Sequence, residues 1–350
     1  MNDYFERVAD RFQTQFWINN ATLAEAQDAI AAGATSATSN PTYLPRLLEE
    51  EPRYASSLID DALRAEGEDD VAVVDRMLRM AVSRLSELFL PIHERTGGRH
   101  GFVAIQGNPL VNADADAIIE SALRYRQINR NVIVKIPATA AGAVALEQLT
   151  REGVPTIATM GFSVDQAVYM AEAYRRARSP NGAKPRCFVI VITGIFEEHL
   201  VEVARREGVT CPSEWLRDAG VTVARAAYRI FQARGYEAGL FSGGARGPHH
   251  FSELVGLAAI TNGWDMAQET MRARAPIELR ANADTPQHIV DGLESAFSDF
   301  RVALHEESLP PEQFRTFGPV AAFQDSFATG FEKTISEVQA RRSPRQVPAV

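Results

Sequence analysis

Only three of the 36 basic residues are lysine: Lys135, Lys184 and Lys333. Lys135 stands within Asn131-Val-Ile-Val-Lys-Ile-Pro-Ala138, a run apolar enough to be a strand buried on both faces. An isolated ammonium there is costly unless paired, and desolvation lowers its pKa. A neutral amine in that setting is a nucleophile able to form a Schiff base with a ketone or aldehyde. The alternative is a lysine at a strand end that snorkels to solvent or pairs with an acid.

Polar residues close several other apolar runs. Thr38-Ser-Asn-Pro41 reads as a turn in which Asn40 caps a helix opened by Pro41. It also reads as a place where the Thr38 and Asn40 side chains reach a substrate. Gln106, Thr159, and Asn19 with Asn20 end their strands in the same manner, either orienting a ligand or satisfying a neighbouring backbone group. Ser242-Gly-Gly-Ala-Arg-Gly247 combines Gly244, which permits close backbone approach, with the anion-binding fork of Arg246. Thr193-Gly-Ile-Phe-Glu-Glu-His199 places two acids beside a histidine, as acid/base groups or as a solvated first helical turn. His249 and His250 read as the solvated opening of a helix, with no ligand pattern around them that calls for a metal.

These residues need a scaffold, and the pattern supplies one. Strands are expected at Gln15–Asn19, Thr35–Ser39, Gly101–Gln106, Val132–Ile136, Pro155–Met160, Cys187–Thr193, Ala238–Phe241 and Leu257–Thr261. Between them lie amphipathic stretches Leu23–Ala32, Asp114–Ile128, Ala140–Arg151, Ser163–Arg176, Trp215–Ala233 and His249–Val255, with Ser163 to Gln166 reading as a capping box. Eight strands alternating with helices predict an α/β fold, a closed (β/α)8 TIM-type barrel. An open doubly wound sheet is disfavoured, because no Gly-rich turn follows the first strand. One barrel domain over residues 1–340 is expected. It carries a helical insertion at 41–97, broken at Pro52 and Gly67–Asp70, C-terminal helices over 276–340 broken at Pro310–Pro311, and a polar tail at 341–350.

The 350 residues carry a formal charge of −9, which argues against a nucleic-acid or anionic-membrane partner. Cys187 and Cys211 form no paired-thiol motif and suggest a reducing compartment. The charged start has no signal-peptide core, and the longest apolar run, Cys187 to Phe196, falls well short of the roughly 20 residues of a spanning helix. A cytoplasmic, membrane-free protein is expected.

Together the motifs resemble the transaldolase family of class I aldolases, including its fructose-6-phosphate aldolase branch, from about Phe16 to Met271. Val134-Lys-Ile-Pro-Ala-Thr139 is similar to the family's Schiff-base strand, and Thr38-Ser-Asn-Pro41 to its Thr-x-Asn-Pro signature. Glu152 to Thr159 resembles the aldolase branch at its fifth strand, while Ile260-Thr261 and Asp265-Met-Ala-Gln268 follow the pattern around the eighth. The resemblance implies a (β/α)8 barrel, Lys135 as imine former, and a water held by Gln106 and Thr159.

The departures are specific. The family's first-strand acid, which shuttles the proton in aldol cleavage, falls on Asn19, and an amide cannot take that role at neutral pH. The third-strand Glu of transaldolases proper falls on Gln106, and the fifth-strand Asn falls on Ile157. The aldolase branch's Tyr after the sixth strand falls on Ile195. In the phosphate site the family's Arg falls on Glu198 and its Ser on Gly244, leaving Arg246 as the matching basic position. A carboxylate there opposes a dianion, so altered phosphate recognition is implied.

The expected activity is therefore a transaldolase-like carbon–carbon transferase or lyase in carbohydrate metabolism. Lys135, Gln106, Thr159 and Asn19 would be catalytic, and Thr38, Asn40, Arg246, Gly244 and Glu198 would bind a small ketose or hydroxyketone. Glu198 or His199 is a candidate for the missing base, or for holding a cationic group on the substrate. Two other readings stay open: imine chemistry of another kind (isomerase, dehydratase or decarboxylase), or a non-catalytic family member. The chemistry requires no metal and no organic cofactor. Homo-oligomers are common in the family, and Phe323, Phe327, Phe331 and Ile335 form an apolar face that suits the protein's own barrel or a second copy.

Overall fold

The computed structural model describes residues 3–65, 69–177, 182 and 184–342. Eight parallel strands close into one barrel in chain order, so each β-helix-β unit packs beside the next. They are β1 (Gln15–Asn19), β2 (Ala34–Thr38), β3 (Val103–Ile105), β4 (Val132–Pro137), β5 (Thr156–Gly161), β6 (Cys187–Ile192), β7 (Gly239–Gly243) and β8 (Ala259–Asn262). β1 has the expected bounds, and those of the other strands differ from expectation by at most two residues. Strands β4, β5 and β6 are buried at every position, as continuous apolar runs between lumen and helices require.

Because side chains alternate, the register decides which residues share the lumen. Trp17 of β1 packs edge-on against Phe241 and Phe188, with ring centroids 5.0 and 5.3 Å away. That aromatic plug fills the end of the barrel where the strands begin. Two positions on, Asn19 pairs with Thr38. Thr38 pairs with Ala104, and Ala104 pairs with Ile133. The next positions on those last two strands facing the same way are Gln106 and Lys135, which therefore sit at one level. Lys135 pairs with Ile157, and Pro137 with Thr159. The polar set thus forms the layer above the aromatic plug, at the C-terminal mouth.

Among the described residues the insertion forms three helices, Tyr43–Glu50, Pro52–Ala62 and Asp70–Arg95. The break expected at Pro52 is present, whereas Gly67 and Glu68 lie outside the described residues. Pro41 does not open the first of these helices, which starts two residues later behind Thr42. The C-terminal region departs from expectation between 274 and 286, which is not helical. Arg274 is left-handed at φ 48°, and a proline such as Pro276 or Pro286 disfavours the helical region for the residue before it. Helices Gln287–Ala296, Ser298–Leu304 and Gly318–Arg342 follow, so Arg341 and Arg342 of the expected tail are helical and the rest of it lies outside the described residues.

The last helix lies across the insertion and the barrel mouth. Phe327 and Phe331 are buried within the chain, and Phe323 meets Phe162 edge-on at 5.7 Å. Gln324 donates to the carbonyl of Pro109 and accepts from Asn112, both at 2.7 Å, which fixes the loop after β3. Asp165 accepts three backbone N–H bonds from Glu307, Ser308 and Leu309 at 2.7–2.9 Å. Among the described residues no helix is long and apolar enough to cross a membrane.

Candidate active site

Lys135 is 7% exposed on β4. Among the described residues no carboxylate lies within ion-pair distance of its amine, and no hydrogen bond reaches it. Burial alone lowers its pKa to about 7, so near neutrality much of the amine is free base. Of the two readings of this lysine, the strand-end ammonium paired with an acid is absent from the fold.

Gln106 follows β3 at the same level, 4% exposed, with amide oxygen and nitrogen both buried and lacking a protein partner. A buried amide with neither end satisfied is uncommon in a folded chain and marks a site built to hold something polar. The buried amide of Asn262, at the end of β8, is in the same condition, and sequence reasoning passed over it. Thr159 is buried on β5, where the strand register shifts between Ala158 and Gly161. Met160, directly after it, is left-handed at φ 63°, a conformation unfavourable for a residue with a long side chain. Gln166 supports this bend. Its amide nitrogen donates to the carbonyls of Ala138 (2.9 Å) and Met160 (3.2 Å), and its oxygen accepts from the Phe162 N–H (2.9 Å). The expected capping box is therefore half present: Ser163 caps the Gln166 N–H, while the Gln166 side chain clamps the ends of β4 and β5.

Asn19 is fixed by Thr38, whose hydroxyl donates to its amide oxygen at 2.8 Å and lies 3.0 Å from the Thr261 hydroxyl. With its proton spent on Asn19, Thr38 accepts from Thr261. Asn40 is held in the turn. Its side-chain oxygen accepts from the Thr42 N–H (2.9 Å), the Thr42 hydroxyl (2.7 Å) and the Asn20 amide (3.0 Å). Asn20, left-handed at φ 48°, closes the pair by accepting the Asn40 N–H at 3.1 Å. The turn reading accounts for the oxygen of Asn40 and leaves its amide nitrogen for a ligand.

The loops after β6 and β7 touch. A Cβ on Gly194 would stand 2.6 Å from the Gly244 carbonyl, and one on Gly244, which has φ 73°, would meet Ile195 at 2.9 Å. This contact brings Glu198 to Arg246, with Oε1 2.6 Å from Nε and both side chains about half exposed. The guanidinium of Arg246 is thus already engaged by a carboxylate. His199 Nε2 lies 2.7 Å from Oδ2 of Asp299, which ties the imidazole to the C-terminal helices.

Two expectations fail here. Glu197 and His250 are not solvated. Both are buried, with Glu197 Oε1 2.8 Å from His250 Nε2. Burial raises the Glu197 carboxyl to about 7 and lowers the His250 imidazole to about 4. Their chain positions are far apart, so no local spacing signalled the pair.

A cavity of about 1060 Å³ opens at the opposite end of the barrel, among Gln15, Ala34, Arg186 and Gly239, and does not reach Lys135. A much smaller cleft of about 20 Å³, room for roughly one water, is lined by Gln106, Asn112 and Lys135.

Fold and site together define the class: a (β/α)8 barrel whose mouth is organised around one buried, desolvated lysine. The chain belongs to the Transaldolase/Fructose-6-phosphate aldolase family, whose model matches residues 16–308. It is 29% identical over 230 residues to a transaldolase of Neisseria meningitidis, covering 61% of this chain and 62% of that protein. It is 26% identical over 239 residues to a transaldolase of Thiobacillus denitrificans, covering 63% and 65%. The matched stretch thus spans under two thirds of these relatives' length. A solved structure of a 2,3-dimethylmalate lyase aligns over 97% of this chain and 98% of that one, at 12% identity and a TM-score of 0.32, too loose a match to carry an argument.

Proposed function

We propose that this protein is a transaldolase-type enzyme that makes or breaks a carbon–carbon bond through a Schiff base between Lys135 and a small ketose or hydroxyketone. The observation that carries this reading is the buried Lys135 amine, with no counter-ion and a pKa near 7. In that state the nitrogen lone pair attacks the ketone carbon, a neutral carbinolamine forms, and uptake of a proton from solvent with loss of water gives a protonated imine. The imine accepts the electron pair of the bond broken beta to it. An aldehyde leaves, and an enamine remains to be protonated or to attack an acceptor aldehyde.

The proton from the leaving hydroxyl needs a carrier. Asn19 cannot supply one, being an amide. Gln106 and Thr159 would hold a water that relays it, a role that the unsatisfied amide of Gln106 supports. Asn19, Thr38 and Asn40 would orient donor hydroxyls. Because Glu198 engages Arg246, unphosphorylated substrates are favoured over their phosphate esters. Imine chemistry without bond cleavage, as in an isomerase or dehydratase, is the second reading. It draws support from the absence of any carboxylate beside Lys135 among the described residues.

The test is borohydride trapping with dihydroxyacetone, fructose and fructose 6-phosphate, read by intact and peptide mass. An adduct on Lys135 that disappears in Lys135→Ala supports the imine. A folded protein that traps no ketone overturns it. Proton exchange at the alpha carbon without aldehyde release would select the second reading.

A further inference from the structure

We propose that Glu197, His249 and His250 form a binding site for a divalent transition metal of the zinc class, independent of the chemistry at Lys135. Glu197 lies in the first turn of helix Gly194–Glu207 after β6, and the two histidines open the short helix His249–Ser252 after β7. One carboxylate and two imidazoles there offer ligand atoms that all lie within 4.8 Å of one another. Oε1 of Glu197 is 2.8 Å from Nε2 of His250, and Oε2 is 3.8 Å from Nε2 of His249. Bonds of about 2.0–2.2 Å at tetrahedral angles put ligand atoms roughly 3.4 Å apart, within that spread.

The hydrogen bond between Glu197 and His250 accounts for two of the three groups and leaves His249 over. His249 Nε2 is buried and has no hydrogen-bond partner, although it faces the second carboxylate oxygen. A buried imidazole nitrogen left unsatisfied is rare unless it serves as a ligand. The surroundings also fix the rings as a metal site requires. Gly247 lies against the His249 ring so closely that a Cβ there would stand 2.7 Å from Nδ1. His250 Nδ1 accepts the Arg246 N–H at 3.3 Å and lies equally far from the Gly247 carbonyl, so without an ion Nε2 carries the proton and donates to Glu197; ligation at Nε2 would move that proton to Nδ1, where the Gly247 carbonyl can accept it. Two histidines and one carboxylate leave a fourth position for water or another ligand, and this donor set suits zinc or cobalt over magnesium or calcium.

The full-length protein, stripped with chelator and dialysed, is titrated calorimetrically with zinc chloride, and in parallel with cobalt and magnesium chlorides. The expected result is one zinc or cobalt per chain, a cobalt visible spectrum of tetrahedral intensity, no magnesium binding, and a melting midpoint raised by a few degrees in excess zinc. Glu197→Gln and His249→Ala should each weaken zinc binding by roughly tenfold or more while keeping the wild-type circular dichroism spectrum. Absence of stoichiometric zinc and cobalt binding by the wild type overturns the proposal. So does unchanged affinity in both variants, which would place the ion elsewhere. His249 is the variant of choice because its side chain, unlike that of His250, keeps some exposure and tolerates removal.

Discussion

The hydroxyl of Thr38 donates to the amide oxygen of Asn19 at 2.8 Å, so the amide of Asn19 is oriented by a neighbouring strand before any ligand arrives. A carboxylate would accept the same bond, and Asn19→Asp therefore needs no repacking. It would put an ionisable proton carrier on β1, and general acid–base help contributes about 10²–10⁴-fold in other enzymes. We expect kcat for aldol cleavage of an unphosphorylated ketose to rise at least about tenfold, with little change in melting temperature. Steady-state cleavage assays on the two proteins decide it; an unchanged or lower kcat removes proton transfer as the missing step.

On the proposed chemistry, Lys135 should make both rate and stability depend on pH. Only its free base attacks a carbonyl, so imine formation should rise with pH and level off above about 7. For stability, the folded pKa lies below the unfolded value near 10.5, so the unfolded chain binds more protons between these limits. Burying the charge costs the folded state most below about pH 7, and the cost is relieved as pH rises toward about 10.5. Lys135→Met removes that cost. It should abolish trapping and, in urea melts, exceed the wild type by several kcal/mol at pH 6, with the gain shrinking by pH 9. A constant difference across that range would mean the amine is not desolvated.

Barrel and lysine were both legible in the sequence, for the same reason. Alternating short apolar runs and amphipathic helices dictate a parallel barrel, and a lone lysine inside one such run has few structural uses. The relationships that escaped are those between distant loops. Glu197 pairs with His250, Glu198 with Arg246, and His199 with Asp299, and no periodicity encodes which loops will touch. The capping box shows the same limit. Ser163 to Gln166 has the pattern, but burial turned the glutamine toward Ala138, while the complete box sits at Thr22 and Glu25. Local pattern names the residue types, and tertiary contact chooses their partners.

Glu198 and Arg246 make a half-exposed pair worth at most about 1 kcal/mol, so Glu198→Ala should leave stability within that range. Its effect should fall on recognition, because the variant frees the guanidinium for an anion. We expect the ratio of kcat/KM for fructose 6-phosphate to that for fructose to rise roughly three- to tenfold. An unchanged ratio would mean that the phosphate does not approach Arg246.

Gly194 is where the two loops of that pair meet, and its lack of a side chain sets their spacing. An added Cβ would stand 2.6 Å from the Gly244 carbonyl and 2.7 Å from the Arg246 nitrogen, both backbone atoms that cannot rotate away. Gly194→Ala must therefore push the β7 loop outward, at a cost of about 1–3 kcal/mol. The displacement would separate Glu198 from Arg246 and Glu197 from His250 together. Gly153→Ala is the control: it has no atom within 4 Å of its Cβ but a φ of 73°, so it carries backbone strain without a clash. In chemical denaturation Gly194→Ala should lose more stability than Gly153→Ala and should also change the phosphate preference. A loss equal to the control, with substrate ratios unchanged, would show that the loops tolerate a wider gap and that their contact does not shape the site.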